Sequence, residues 1–373
     1  MTAQRTRLSV PLLDRLVPRF RNMKPYEPVA PPERLEAESD AGEEGIVKLN
    51  ANENPYGPPP RVRALIESFN AANIYPDPDH AALRACLAEY TGFGAERIVA
   101  GSGSDELIAL LTRLFVGSEG TVVAATPTFG MYAVETDLSG ARFLGVPRSQ
   151  DDFSIDLPGL VEAACNASIV FFSTPNNPTG NSVTEEEIRA VAETEVLTIV
   201  DEAYVEFAGK SLMPLADEYP NLIFLRTFSK WAGLAGLRVG YGVFPVDLAS
   251  TLMTVKPPYN VNTLAQAAAI AAIEDLDNAL ATVNIIVKER AVLQEGLRSL
   301  PSVRVFPSEA NFLLVRFLEH DAKELHASLL RRGIALRHFN TPELRDCIRI
   351  SVGRPRDHER LIEALREEME AQK

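Results

Sequence analysis

Leu222-Ile223-Phe224-Leu225-Arg226-Thr227-Phe228-Ser229-Lys230, continued by Trp231-Ala232-Gly233-Leu234-Ala235-Gly236-Leu237-Arg238-Val239-Gly240, is the stretch on which the fold turns. The short apolar run 222–227 predicts a buried strand, and the small residues after it predict a loop that lets backbone approach a ligand closely. Lys230, just past the strand end, can reach into a crevice and form an imine with an aldehyde. Ser229 and Arg238 could both grip a phosphate. A solvated loop lysine is the ordinary alternative. The strand context and an arginine at this spacing weigh against it.

Outward from this stretch, short β-branched runs at 98–100, 121–125, 141–146, 168–173, 197–201 and 239–244 predict further strands. Helical patterns fall between several of them, at 105–115 and 185–192 for example. Such alternation predicts the α/β class, a mostly parallel sheet covered by helices on both faces. Beyond about Leu264 the pattern changes. A long helical stretch at 278–300 precedes strand-like pieces at 303–306, 312–316, 334–337 and 347–352, with a helix at 321–332. This predicts a smaller α+β C-terminal domain over 276–373, after a large domain over 49–275. Residues 1–48 read as an N-terminal arm belonging to the small domain, extended where Pro, Glu and Ala crowd 25–40.

The chain has 373 residues, enough for a large and a small core. With 46% hydrophobic and 24% charged residues it has the composition of a soluble globular protein rather than a disordered one. A net charge of -14 argues against nucleic acid as a partner, although a local arginine cluster would still hold a small anion. Cys86, Cys165 and Cys347 share no metal-like spacing and read as reduced thiols, and the five histidines form no ligand pair, so no metal is expected. Asp14, Arg15 and Arg19 interrupt any signal-peptide pattern, and the apolar run 264–273 is too short to cross a bilayer. A cytoplasmic location without membrane contact is the expectation.

Three further segments sit at predicted strand ends, where open α/β sheets bind ligands. In Leu197-Thr198-Ile199-Val200-Asp201-Glu202-Ala203-Tyr204, Asp201 closes a buried strand. Its carboxylate could pair with a pyridinium nitrogen and keep it protonated, and Tyr204 could donate to a phenolic oxygen on the same ring. Asp201 could equally cap a helix or hold Mg²⁺, though no phosphate-loop motif is present for a nucleotide. Ser173-Thr174-Pro175-Asn176-Asn177-Pro178-Thr179-Gly180 is first of all a turn, in which Asn177 could donate its amide to that ring oxygen. Gly101-Ser102-Gly103-Ser104-Asp105-Glu106 leads into a helix. An anion site of free N–H groups and simple capping fit it equally, while its spacing fails as a dinucleotide fingerprint.

Taken in order, G-S-G-S-D-E, P-N-N-P-T-G, D-E-A-Y and T-F-S-K with A-G-L-R-V-G resemble the class I/II aminotransferases of fold type I, which use pyridoxal 5'-phosphate (PLP). Leu49-Asn50-Ala51-Asn52-Glu53-Asn54-Pro55-Tyr56-Gly57, Tyr75-Pro76-Asp77 and Thr126-Pro127-Thr128-Phe129-Gly130-Met131-Tyr132 are similar to the histidinol-phosphate aminotransferase group. So are Glu309-Ala310-Asn311-Phe312, Gly333-Ile334-Ala335-Leu336-Arg337 and the segment from Leu344 through Arg349 to Gly353. The resemblance implies that Lys230 carries PLP as a Schiff base, that Asp201 pairs with the pyridine nitrogen, and that Asn177 and Tyr204 hold the ring oxygen. It implies phosphate contacts from Ser104, Asp105, Ser229 and Arg238, with Tyr75 supplied by a partner subunit, and an aromatic stack from Phe129. Arg349 and Arg337 would hold the substrate's anionic end, with Tyr26 of the arm closing over it. Phe129 stands where the family often has Tyr, and Ser102 where Asn is frequent.

The implied reaction is amino transfer between histidinol phosphate and 2-oxoglutarate, yielding glutamate, in a homodimer with shared sites. An aromatic amino-acid aminotransferase is the nearest rival, and Lys256-Pro257-Pro258-Tyr259-Asn260-Val261-Asn262 looks more like the histidinol-phosphate group. A threonine-phosphate decarboxylase is a second rival. A PLP-binding transcription regulator is not expected, because the residues before Leu49 are too few and too proline-rich for a helix-turn-helix.

Overall fold

The computed structural model describes residues 12–21, 23, 26, 28–40, 42 and 45–371, so the arm expected over 1–48 lies partly outside the described residues. Strands follow in chain order as β1 (Val47–Lys48), β2 (Ile98–Gly101), β3 (Thr121–Thr126), β4 (Arg142–Pro147), β5 (Ile169–Ser173), β6 (Leu197–Asp201) and β7 (Leu222–Thr227). After them come β8 (Gly240–Val243), β9 (Val303–Val305), β10 (Phe312–Phe317), β11 (Ile334–Ala335), β12 (Arg337–His338) and β13 (Cys347–Ser351). The large sheet has the order β2-β8-β7-β6-β5-β3-β4. Only β8 breaks its parallel sense, lying antiparallel to both β2 and β7. A second sheet, β12-β13-β10-β9, is antiparallel, and β1 pairs with β11 in parallel.

The central strands of the large sheet are mostly apolar because both faces are covered. Successive side chains point to opposite faces, and the packing follows that period. Val122, Ala124, Ile169, Phe171, Ile199, Ile223 and Leu225 pack under the helices Ser104–Phe115 and Val246–Val255. Val123, Val170, Phe172, Val200, Leu222 and Phe224 face the helices Ala81–Thr91, Leu157–Ala164, Glu185–Ala192 and Thr263–Glu274. Burying each large side chain is worth about 1.5–3 kcal/mol.

A separate cluster joins β10, β11 and β13 to the helices Ala322–Arg331 and Pro355–Ala371, and it takes in Val47 and Leu49. The helix Leu276–Arg298 spans both cores: Ala279, Val283 and Ile286 belong to the first, Leu293 and Leu297 to the second.

Two local expectations need correction. The single strand expected at 334–337 is two pieces in different sheets, because Ile334–Ala335 pairs with β1 while Arg337–His338 pairs with β13. Within the segment expected to be extended, Pro32–Ala37 forms a helical turn and a half, with proline at its first position where the missing N–H costs nothing.

The sheet positions the site through its carboxyl edge. Ser173, Asp201 and Thr227 are the last residues of β5, β6 and β7, and Ser173 lies opposite Asp201 in register. Gly240 lies opposite both Gly101 and Thr227, which brings the glycine-rich turn after β2 to the same edge.

Candidate active site

A cavity of about 220 Å³ opens at this edge. Lys230, Asp201, Tyr204, Asn177, Phe129 and Arg349 line it, together with Ser104, Asp105, Ser229, Arg238 and Tyr26. Residues far apart in the chain therefore meet: most follow a strand that ends here or start a helix here, while Arg349 comes from within β13 of the second sheet and Tyr26 from the arm.

Lys230 Nζ donates to the Ala51 carbonyl at 3.2 Å and stands 5.8 Å from the centre of the Tyr204 ring. Desolvation, with the charge of Arg349 next in effect, brings its amine down to about 8. A neutral amine is therefore accessible near physiological pH, as a nucleophile or base requires.

Asp201 is buried, and desolvation pushes its carboxyl up to about 7. Tyr132 donates its hydroxyl to Asp201 Oδ2 at 2.9 Å, and the Ala203 N–H donates to Oδ1 at 3.2 Å. Tyr132 is itself fully buried, stacked on Phe171 at 4.4 Å and edge-on to Phe129 at 5.6 Å. One tyrosine thus ties the carboxylate to the aromatic wall.

Tyr204 accepts a hydrogen bond from the Asn52 amide at 3.0 Å, which leaves its own hydroxyl proton free to donate to a ligand. Asn52 holds a left-handed backbone (φ 54°), a conformation asparagine tolerates, and is fixed by Ser351 and Asn311.

At one end of the cavity the helix Ser104–Phe115 begins with no side-chain cap, so its first N–H groups are open to an anion. Gly103 has φ +77°, and a Cβ there would meet Arg238 Nη2 at 2.5 Å. A Cβ on Gly240 would meet Ser104 N at 2.5 Å. These glycines let the helix start, the sheet edge and the guanidinium close on one another. Arg238 also pairs with Asp105 at 2.8 Å, and Ser229 is buried beside Thr227 at 2.9 Å.

At the other end Arg349 is buried, donating to Asn177 Oδ1 at 2.6 Å and to the Asn50 carbonyl at 2.7 Å. Its Nε has no partner, and among the described residues no carboxylate pairs with it; burial lowers it to about 10. A buried guanidinium without a counter-ion has the charge and free donor to bind an anion. Its bond to Asn177 Oδ1 also turns the Asn177 NH₂ group away from the guanidinium.

Two expected residues stand elsewhere. Arg337 lies opposite Arg349 in the β12–β13 register, over Phe339, but does not line the cavity. Tyr75 is 78% exposed, stacked on Tyr259 at 4.6 Å, and away from the cavity of its own chain. Tyr132 and Asn52 fall inside the recognised motifs, yet no spacing distinguishes them from their neighbours. Among the described residues there is no metal-binding group of three or more side chains, and no helix long and apolar enough to cross a membrane.

Residues 44–365 match the family model for aminotransferase class I and II. The chain belongs to that family. This aminotransferase is 44% identical over 362 residues to the histidinol-phosphate aminotransferase of Roseiflexus castenholzii, covering 94% of this chain and 97% of that one. It is 42% identical to the chloroplastic histidinol-phosphate aminotransferase of Nicotiana tabacum, over 94% of this chain and 85% of the relative. The aminotransferase superposes with a TM-score of 0.86 on the crystal structure of histidinol-phosphate aminotransferase from Sinorhizobium meliloti in complex with pyridoxal-5'-phosphate. That match is at 30% identity and covers 96% of this chain and 98% of the other. Its fold is that of the fold-type-I transferases.

Proposed function

We propose that this aminotransferase uses PLP to move the amino group of histidinol phosphate to 2-oxoglutarate. The observation that carries the reading is one cavity holding a desolvated lysine, a desolvated carboxylate and two separate anion-binding ends. The residues fit the cofactor. Asp201 is a buried carboxylate with no cation paired to it among the described residues, which a pyridinium N–H would complement, and the glycine cradle at the helix start suits a phosphate. When bound, PLP supplies an electron sink for the pair released as a substrate Cα bond breaks.

The chain's own residues do the rest. Lys230 would hold the cofactor through Nζ and, once displaced by the substrate amine, carry a proton to and from carbon. Asp201 would keep the ring nitrogen protonated, Tyr204 and Asn177 would donate to the ring oxygen, and Phe129 would stack on the ring. Ser104, Asp105, Ser229 and Arg238 would hold the phosphate. Arg349 would bind the substrate's phosphate or the carboxylate of the oxo acid, since a guanidinium accepts either. Arg337 would add charge beside it, and Tyr26 would cover the entrance.

The homodimer is supported by Tyr75, which can contribute to a phosphate site only in a second copy. Its exposed neighbours Ile74 (60%) and Tyr259 (47%) offer an apolar face for that copy. The two core clusters support a large and a small domain, but they straddle the expected boundaries at 49 and 276, because Leu49 packs in the smaller core and Ala279, Val283 and Ile286 in the larger. The free thiols suit the cytoplasm.

A half-reaction screen tests the substrate. Histidinol phosphate, phenylalanine, tyrosine, aspartate and threonine phosphate are added singly to the PLP-loaded enzyme, and the visible spectrum is followed. Histidinol phosphate is expected to bleach it fastest. A faster response to phenylalanine or tyrosine would reassign the substrate to the aromatic amino acids.

A further inference from the structure

Glu106 sits in the first turn of the helix that opens onto the cavity, where a carboxylate would ordinarily face and repel an incoming anion. The structure turns it away. Glu106 Oε2 accepts the Ser102 N–H at 2.7 Å and the Asn260 amide at 2.6 Å. The Asn260 amide also reaches the Ala100 carbonyl at 3.3 Å, at the end of β2. Behind it, the buried Lys256 donates to Asn260 Oδ1 at 3.2 Å and to the Pro78 carbonyl at 2.8 Å. A continuous polar chain therefore runs from Pro78 through Lys256, Asn260 and Glu106 to the backbone of the glycine-rich turn. Lys256 and Asn260 come from the K-P-P-Y-N-V-N segment, which no contact with the cavity explains.

This arrangement has three consequences. The carboxylate takes the one N–H ahead of Gly103, so the following N–H groups of the helix start stay free. Its negative charge is bonded on the side away from the cavity, with the Lys256 ammonium close enough to offset it. It also holds the turn 101–103 down onto Gly240, where a Cβ would already collide.

We propose that Glu106, held by Asn260 and Lys256, is a positioning residue that aims the uncapped helix start at the cofactor's phosphate. The proposal rests on the PLP reading above, and the test separates the two. Apoenzyme is titrated with PLP and with pyridoxal, which lacks the phosphate, and the dissociation constants are compared for the wild type, E106A, E106Q and N260A.

Losing a charge-assisted hydrogen bond should make E106A bind PLP about tenfold more weakly or worse. Pyridoxal affinity should hardly change. E106Q, which keeps an acceptor oxygen for Ser102, should recover most of the loss, and N260A should show the same selective defect in smaller measure. If E106A does not fold, the titration of N260A decides between the outcomes. PLP and pyridoxal weakened alike, or neither weakened, would overturn the positioning role and leave PLP as the cofactor. A wild type that binds PLP no better than pyridoxal would overturn the phosphate end itself.

Discussion

Asp201 shows how a residue legible in the sequence acquires its chemistry only from its surroundings. The sequence places it at the end of a buried strand; desolvation pushes its carboxyl from 3.8 to about 7. Between those values the folded chain binds more protons than the unfolded one, so the stability of the cofactor-free protein falls as pH rises through the window. Replacing Asp201 with Asn removes that cost. D201N apoenzyme should melt a few degrees above wild type at pH 8, with a smaller gain at pH 5, while losing PLP affinity. An equal gain at both pH values in a calorimetric comparison would mean that the carboxyl is not the source. Arg349 obeys a different logic, since its guanidinium is buried without a carboxylate. R349A should raise KM sharply for both amino donor and oxo acid and leave cofactor content intact, and steady-state kinetics with an unchanged KM would place the anion elsewhere. Tyr132 and Asn52 escaped the sequence reading because their partners lie 69 and 152 positions away.

Elements were the most legible level. The strands β2 to β8 fall within a residue or two of the apolar runs that predict them, because strands covered on both faces are apolar at most positions. Helices were read less completely. Thr263–Glu274 buries Ala265, Ala268, Ala269 and Ala272 on one face, but most of its other residues are apolar too, so the sequence lacks the polar face that marks a surface helix. The split of β11 from β12 was equally hidden, as consecutive residues serve different sheets. The meeting of sheet edge and helix start also carries a prediction. Because a Cβ on Gly240 would come within 2.5 Å of Ser104 N and 2.9 Å of the Arg226 carbonyl, backbone must move to admit it. G240A should destabilise the enzyme by about 1–3 kcal/mol and weaken PLP binding out of proportion to pyridoxal. Wild-type values for both in thermal unfolding and titration would show that the edge has slack.

At the scale of the whole molecule, the proposed homodimer would divide each site between copies, with Lys230 from one chain and Tyr75 from its partner. K230A and Y75A homodimers should each be impaired, K230A without measurable turnover. If Tyr75 serves the partner's cavity, dissociating and reassociating a mixture builds hybrids with one site wild type at both positions, and activity should return well above that of either variant. No recovery on mixing would confine Tyr75 to its own chain or to no site at all. The sequence by itself determined the α/β class, the strand-end placing of Lys230, Asp201 and Asn177, and the anion-binding look of the turn at 101–106, since local period and turn chemistry are written in neighbouring residues. Only the tertiary structure decided the order of the large sheet, the reversed β8, the meeting of Arg349 with Asn177 across 172 positions, and the shifted acidities of Lys230 and Asp201. Those depend on which distant segments exclude water from a group, and desolvation is a property of the assembled neighbourhood rather than of any stretch of chain.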